Sequence, residues 1–228
     1  MITRDEFVRD AIWARELAAD EIERARRGIT EKHFSKGGYV CHRGDKLDYW
    51  TGVITGLVKI SAISASGKAM TFAGAGAGGW LGEGSVLKDE PRKYDLVALA
   101  DTRLAMMARP TFMWLYENST GFNRFLVRQL NERMGQFIAI IEHDRILSPK
   151  ARLARNLSWF FNPVLYPVSK PEIEIGQEEL GLLAGVSRPV VSKSLQALEA
   201  EGLLTVEHGR IVVHDVMALG RYEDDREG

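Results

Sequence analysis

Apolar and polar positions along the chain change their period several times, and each change predicts a different element. Near the N-terminus Phe7, Ile12, Trp13 and Leu17 mark a first helix that Thr3 can cap. A second, charge-rich helical piece over residues 20–27 stops at Gly28. Between residues 33 and 108 the runs become short, β-prone and repeatedly broken by glycine, at Gly37-Gly38, Gly44, Gly56, Gly67, the 74–79 cluster and Gly82. Turns at this density predict a compact antiparallel barrel or jelly roll. Within it Leu57, Val58, Lys59, Ile60 and Ser61 alternate, so one face packs and the other is wet.

A long helix is predicted next, over residues 119–147. Phe122, Leu126, Leu130, Met134 and Ile138 step by four, with Phe137 and Ile141 beside them. One small barrel cannot cover so long a stripe, and part of it is expected to form a two-stranded coiled coil between two copies. Ser148-Pro149 reads as the cap and first residue of a new helix, which places a hinge at 146–148. Beyond it Leu153, Leu157, Trp159 and Phe160 line a further helix, ended by Asn162-Pro163 and a loop holding Pro167 and Pro171.

The densest pattern lies at 174–214. Leu180, Leu183 and Ala184 share one helical face; Gly185 ends that helix, Val186 plugs the corner and Ser187 stands at the next N-cap. The second helix buries Val190, Val191, Leu195 and Leu198 and turns Arg188, Ser192, Lys193 and Gln196 outward. Two β-prone runs at 203–206 and 210–213 flank Glu207-His208-Gly209, a hairpin signal. Together these predict a winged helix-turn-helix, whose second helix is shaped for the DNA major groove. An ordinary helical hairpin with a small sheet is the plainer alternative.

This stretch resembles the C-terminal domain of the Crp/Fnr transcription regulators, where the recognition helix opens with a serine–arginine pair and carries a second polar or basic residue five positions on. Here these are Ser187, Arg188 and Lys193. The β-rich part is similar to the cyclic-nucleotide-binding-like sensor domain of the same family, through G-D-K-L-D-Y-W-T-G-V-I-T-G-L-V-K-I at 44–60, G-K-A-M-T-F at 67–72 and G-W-L-G-E at 79–83. The resemblance covers nearly the whole chain in the expected order. It implies an α+β protein: a sensor β-barrel or jelly roll with N-terminal helices over 1–118, a long dimerisation helix over 119–147 and a winged helix-turn-helix over 148–228.

It also implies a homodimer on a palindromic site in double-stranded DNA, a small effector in the sensor domain, RNA polymerase as a partner, and no enzyme activity. Arg188 would contact guanine and Lys193 a second base or a phosphate. Ser187 and Ser192 would hold phosphates, with Gln196 on the same face and His208 touching the backbone at the wing tip. Pro189 stands where many members have a glutamate, so the preferred half-site should differ at that base. The dimer seam would use Phe122, Leu126, Leu130, Met134, Phe137 and Ile141.

In nucleotide-binding members a glycine–glutamate pair holds the ribose and an arginine–serine pair about ten residues later holds the phosphate. This chain keeps the first as Gly82 and Glu83, and the second reads as Lys93 and Tyr94. Lysine lacks the planar fork of arginine, and the tyrosine ring takes up space. The positions that present hydroxyls to the purine align with Phe137 and Ile138. Cyclic AMP is therefore disfavoured as effector, a cyclic-nucleotide-responsive regulator being the alternative. A pocket with Trp80, Lys93 and Tyr94 suits a small aromatic or an apolar carboxylate; the same aromatics could equally just fill the barrel.

Bulk properties narrow this only a little. Hydrophobic residues make up 45% and charged residues 27% of the 228, with a net charge of −1. From Pro149 onward nine Lys/Arg face twelve Asp/Glu, which argues against strong nonspecific DNA binding but not against a sequence-specific dimer. No apolar run reaches the ~18 residues a membrane span needs, and the charged N-terminus lacks a signal core. With a single cysteine, Cys41, these features point to the cytoplasm and exclude an iron–sulfur cluster. A cupin-like metalloenzyme is the remote alternative. Its histidines should cluster, yet only His33 and His42 of the five lie in the β-rich part, so no metal is expected.

Overall fold

The computed structural model describes residues 2–167, 170–207 and 209–224. Helix α1 (Arg4–Asp10) opens with a capping box: Thr3 Oγ1 accepts from the Glu6 amide, and the Glu6 carboxylate accepts from the Thr3 amide at 2.8 Å. It ends sooner than the apolar spacing suggests, and a short 3-10 turn (Ala14–Glu16) follows before α2 (Ala19–Arg27). Eight strands then form the β-rich part: β1 (Ile29–Phe34), β2 (Tyr39–Cys41), β3 (Tyr49–Thr55), β4 (Val58–Ile63), β5 (Ala69–Ala75), β6 (Trp80–Leu81), β7 (Asp95–Ala98) and β8 (Thr102–Ala108). Helix α3 (Glu83–Lys88) lies between β6 and β7.

The strands make two antiparallel four-stranded sheets, in the orders β1-β8-β3-β6 and β2-β7-β4-β5. Val53, Leu104 and Met106 of the first and Ile60, Ala73 and Leu96 of the second share one core, so the sheets face each other as a jelly roll. A second core lies on the helical side, where α4 (Arg109–Asn118) and the start of α5 (Thr120–Ile146) pack with the N-terminal helices. Its centre is aromatic. The rings of Trp50 and Trp80 stand 4.2 Å apart, with Trp13, Phe112 and Phe122 edge-on around them.

Ser119 caps α5, accepting from the Phe122 amide at 3.2 Å. Ser148 caps α6 (Pro149–Ser158) with Pro149 at its first position, so two helices meet at Leu147. A 3-10 turn (Trp159–Phe161) and β9 (Glu172–Glu174) lead to α7 (Gln177–Ala184) and α8 (Arg188–Ala200), then to β10 (Leu204–Glu207), β11 (Arg210–Val213) and α9 (Val216–Gly220). The C-terminal strands are ordered β10-β11-β9, and Leu153, Leu157, Leu180, Val191, Leu195 and Ile211 build the core beneath them.

The C-terminal unit is docked on the jelly roll. Leu57, in the turn before β4, joins the C-terminal core. Lys59 on β4 reaches Glu179 on α7, with Nζ 2.6 Å from Oε1 and both side chains mostly shielded. Phe160 packs on Gly74 of β5 so closely that a Cβ there would collide with its ring.

Candidate nucleic-acid interface and sensor pocket

Helix α7 ends at Gly185, whose φ of +65° suits a residue without a Cβ. The corner is tied by the Val186 amide donating to Gly181 O at 3.0 Å. A Cβ on Gly181 would stand 2.7 Å from Val186 O, so a glycine one turn before the corner is a requirement that the apolar pattern does not signal. Ser187 takes the N-cap position of α8 through its backbone, without a side-chain hydrogen bond. Val191, Ser194, Leu195 and Leu198 are buried; Val190, expected among them, is only half-buried.

Ser187, Arg188, Pro189, Lys193 and Gln196 are exposed and Ser192 is half-buried. Among the described residues neither Arg188 nor Lys193 has a carboxylate partner in an ion pair, so both cations are unoccupied on the outer face. The hairpin pairs Glu207 with Arg210, and Arg210 is held between Glu207 and Glu172. His208, expected at the wing tip, lies outside the described residues.

The pocket residues fall differently from the expectation. Gly82, at φ +93°, precedes α3, and Glu83 opens that helix nearly buried, with Oε2 lacking a hydrogen-bond partner. The cation beside them is Arg92, not Lys93. Arg92 is 3% exposed, donating from Nη2 to Tyr49 O at 2.6 Å and from Nη1 to Tyr94 Oη at 3.4 Å, and its Nε has no partner. Lys93 points to solvent, its side chain 73% exposed and 3.2 Å from Glu90. Burial pushes the Tyr94 phenol up, against the lowering influence of Arg92. The Trp80 ring belongs to the aromatic core, with Phe122 and Leu126 at the start of α5, while its carbonyl meets polar residues farther along the same helix.

That carbonyl accepts from Gln129 Nε2 and Arg133 Nη2, each at 3.2 Å. Arg133 is buried and also donates from Nη1 to Tyr166 Oη at 2.9 Å and to Gln136 Oε1 at 3.3 Å. Burial works against its charge, but Tyr166 and Glu83 offset this and leave its pKa above the ordinary value. Phe137 and Ile138 turn away from the jelly roll, at 37% and 58% exposure, so they form no wall of the pocket in this protomer. Gln129, Arg133 and Gln136 are buried instead, at steps of four and three along one helical face, with Gln129 and Arg133 on the Trp80 carbonyl. That polar stripe is visible in the sequence, but the apolar one beside it masks its meaning.

The apolar stripe of α5 divides as well. Phe122 and Leu126 are buried in the chain's own aromatic core. Leu130, Met134, Phe137 and Ile141 are exposed, and Val127 (68%) joins them in a three-four repeat from 127 to 141. Phe122 and Leu126 therefore have no surface left to offer a second copy. Among the described residues no group of three or more His, Cys, Asp or Glu could hold a metal ion, and no helix is long and apolar enough to cross a membrane.

Comparison with known proteins finds two family matches. Residues 31–119 match the cyclic nucleotide-binding domain, and residues 151–222 match the Crp-like helix-turn-helix domain. The cyclic AMP receptor protein of Thermus thermophilus is 27% identical over 89% of this chain and 92% of its own length. The cAMP-activated global transcriptional regulator CRP of Haemophilus influenzae is 25% identical over 76% and 79%. Among solved structures, FixK2 from Bradyrhizobium japonicum is similar in fold at 16% identity, with a TM-score of 0.71 over 86% of this chain and 98% of that one. The c-di-GMP-responsive regulator CLP of Xanthomonas campestris, at 23% identity, has a TM-score of 0.64 over 87% and 100%.

Proposed function

This chain belongs to the Crp/Fnr family of transcription regulators, and we propose that it works as a homodimer reading a two-fold-symmetric DNA site under the control of a small effector. The observation that carries this reading is the pairing of two free surfaces. One is the cationic N-terminal face of α8, with Arg188 and Lys193 unoccupied; the other is the exposed three-four apolar repeat of α5. A coiled coil along α5 relates two copies of α8 by a two-fold axis. Poses that separate them by about one DNA turn, roughly 34 Å, fill both half-sites. Arg188 is suited to a bidentate guanine contact, Lys193 to a base or a phosphate, and Ser187 and Ser192 to phosphates. RNA polymerase is the partner such a dimer would address from DNA.

The effector we propose is an anion. Two buried guanidinium groups, Arg92 and Arg133, face one buried carboxylate, Glu83, in the sensor domain. Cyclic AMP is disfavoured because Tyr94 takes up space beside Arg92 and because α5 has no serine or threonine after Thr120. One observation favours the second reading, a cyclic nucleotide. Arg92 supplies the fork that Lys93 lacks, and it keeps Nε unpartnered near Glu83, whose Oε2 is also free.

Selection from a randomised DNA pool, without and then with cyclic AMP, tests both readings. A palindrome enriched without nucleotide is the expected result. Enrichment only with cyclic AMP would establish the second reading, and a selected site lacking two-fold symmetry would overturn the dimer.

A further inference from the structure

The C-terminal unit sends one side chain deep into the jelly roll. Tyr166 is 1% exposed and packs in the core shared by the two sheets, with Leu165 beside it. Its ring lies over Gly79: a Cβ there would stand 2.7 Å from Cδ1 and 3.0 Å from Cε1. Its hydroxyl accepts from Arg133 Nη1, on the buried polar face of α5. The segment is braced for this insertion. Asn162 Oδ1 accepts from the amides of Val164 and Leu165, Asn162 Nδ2 donates to Glu132 on α5 at 2.6 Å, and the Tyr166 amide donates to Asn162 O.

A phenol from one unit thus sits where the other presents a buried guanidinium and a bare glycine backbone, features that a sealed hydrophobic core would not need. Arg133 is shared between this phenol and the carbonyl of Trp80, two residues before Gly82. The phenol already occupies one of the hydrogen-bonding directions of Arg133, whose charge Glu83 supports.

We propose that Tyr166 is a built-in occupant of the sensor pocket, so that an effector enters only as segment 162–167 withdraws and loosens the docking of the DNA-binding unit. The proposal rests on the reading that this pocket serves an effector. Occupancy and docking are then mutually exclusive, and the effector's leverage is its affinity for the undocked state over the docked one. The chemistry of the incumbent also narrows the class of ligand. It should be a flat or aromatic molecule bearing an oxygen acceptor, preferably anionic, able to replace the phenol on Arg133.

A bump and a hole in the full-length protein test this. Gly79→Ala leaves Tyr166 intact but places a methyl group against its ring; Tyr166→Ala removes the ring. Hydrogen exchange is expected to quicken at least tenfold in 162–166, in β5 and in 129–136 in both variants. Helix α4, whose Phe112 and Leu115 belong to the aromatic core and not to the core around Tyr166, should keep its wild-type protection and report that the fold is intact. Gly79→Ala should add nothing in the Tyr166→Ala background.

The probe for the vacated space is 4-methylphenol, the tyrosine side chain itself. It should bind Tyr166→Ala saturably and the wild type at least tenfold more weakly. Unchanged protection of 162–166 in Gly79→Ala would overturn the seating of the ring. Failure of 4-methylphenol to bind Tyr166→Ala would overturn the pocket as a place a ligand can take. Loss of DNA selection by the wild type would strike the regulator reading alone and leave both results standing.

Discussion

The guanidinium of Arg92 lies directly against Gly82, in the space a Cβ on that glycine would occupy. Two requirements coincide at this glycine. Its φ of +93° is in the left-handed region, and its bare Cα lets a buried cation approach the start of α3. Gly82→Ala should therefore destabilise the protein by about 2–3 kcal/mol, combining backbone strain with displacement of Arg92 from Tyr49 O. Urea denaturation would measure it. A loss below about 1 kcal/mol would mean that Arg92 finds an equivalent position elsewhere.

The same pair shows what sequence reading reaches here and where it fails. Gly82-Glu83 was legible through the resemblance of G-W-L-G-E at 79–83 to the family's glycine–glutamate pair, not through any pattern of its own. The cation was displaced by one residue. Pro91, Arg92 and Lys93 lie before β7, whose four residues are all buried, so no periodicity tells which of two adjacent cations turns inward. The helix-turn-helix was legible because its signals are local: a face at three-four spacing, a glycine stop and a serine cap. Tyr166 was not, because nothing within its own segment signals that it crosses between units to reach Arg133.

The stripe on α5 failed for a geometric reason. At 3.6 residues per turn each step of four advances about 40°, so the four steps from Phe122 to Ile138 carry the stripe about 160° around the helix. Its start faces the chain's own core and its end faces away. This predicts opposite phenotypes within one apparent pattern. Phe122→Ala should cost about 3–5 kcal/mol of stability by opening a cavity in the aromatic core, with the association state unchanged. Met134→Lys should leave protomer folding nearly intact and drive the protein to monomers in sedimentation, with affinity for a palindrome falling about 10²-fold as the two sites are uncoupled. A stable dimer carrying Met134→Lys would place the seam elsewhere.

On α8 the two cations should separate by kind. Arg188→Ala is expected to cost about 1–3 kcal/mol on the selected site and to relax preference at one base pair. Lys193→Ala, if its contact is a phosphate, should weaken all sequences alike and lower the slope of log affinity against log salt by about 1. Titrations on specific and scrambled duplexes at several salt concentrations distinguish them. Equal losses on both duplexes for Arg188→Ala would remove it from base recognition.

Glu31 on β1 and Arg103 on β8 supply a pH-dependent contribution remote from both sites. The carboxylate takes two hydrogen bonds from the guanidinium, at 2.7 and 3.1 Å, and both side chains are largely shielded. Arg103 holds the Glu31 carboxyl below its ordinary value of 4.5. A depressed carboxylate pKa means that the folded state binds its proton less readily than the unfolded chain does. The stabilisation is therefore complete above about pH 5 and is lost as pH falls through the folded value. Glu31→Gln keeps the shape but removes the charge, and should cost about 1 kcal/mol near neutrality, in the range for a partly shielded pair. His33 Nε2 also lies 3.0 Å from this carboxylate, so the comparison is made in a His33→Gln background. There the gap opened by Glu31→Gln should stay flat from about pH 7 to pH 5 and close below about pH 4. A gap that widened on acidification would show that the pair does not act through the ionised carboxylate.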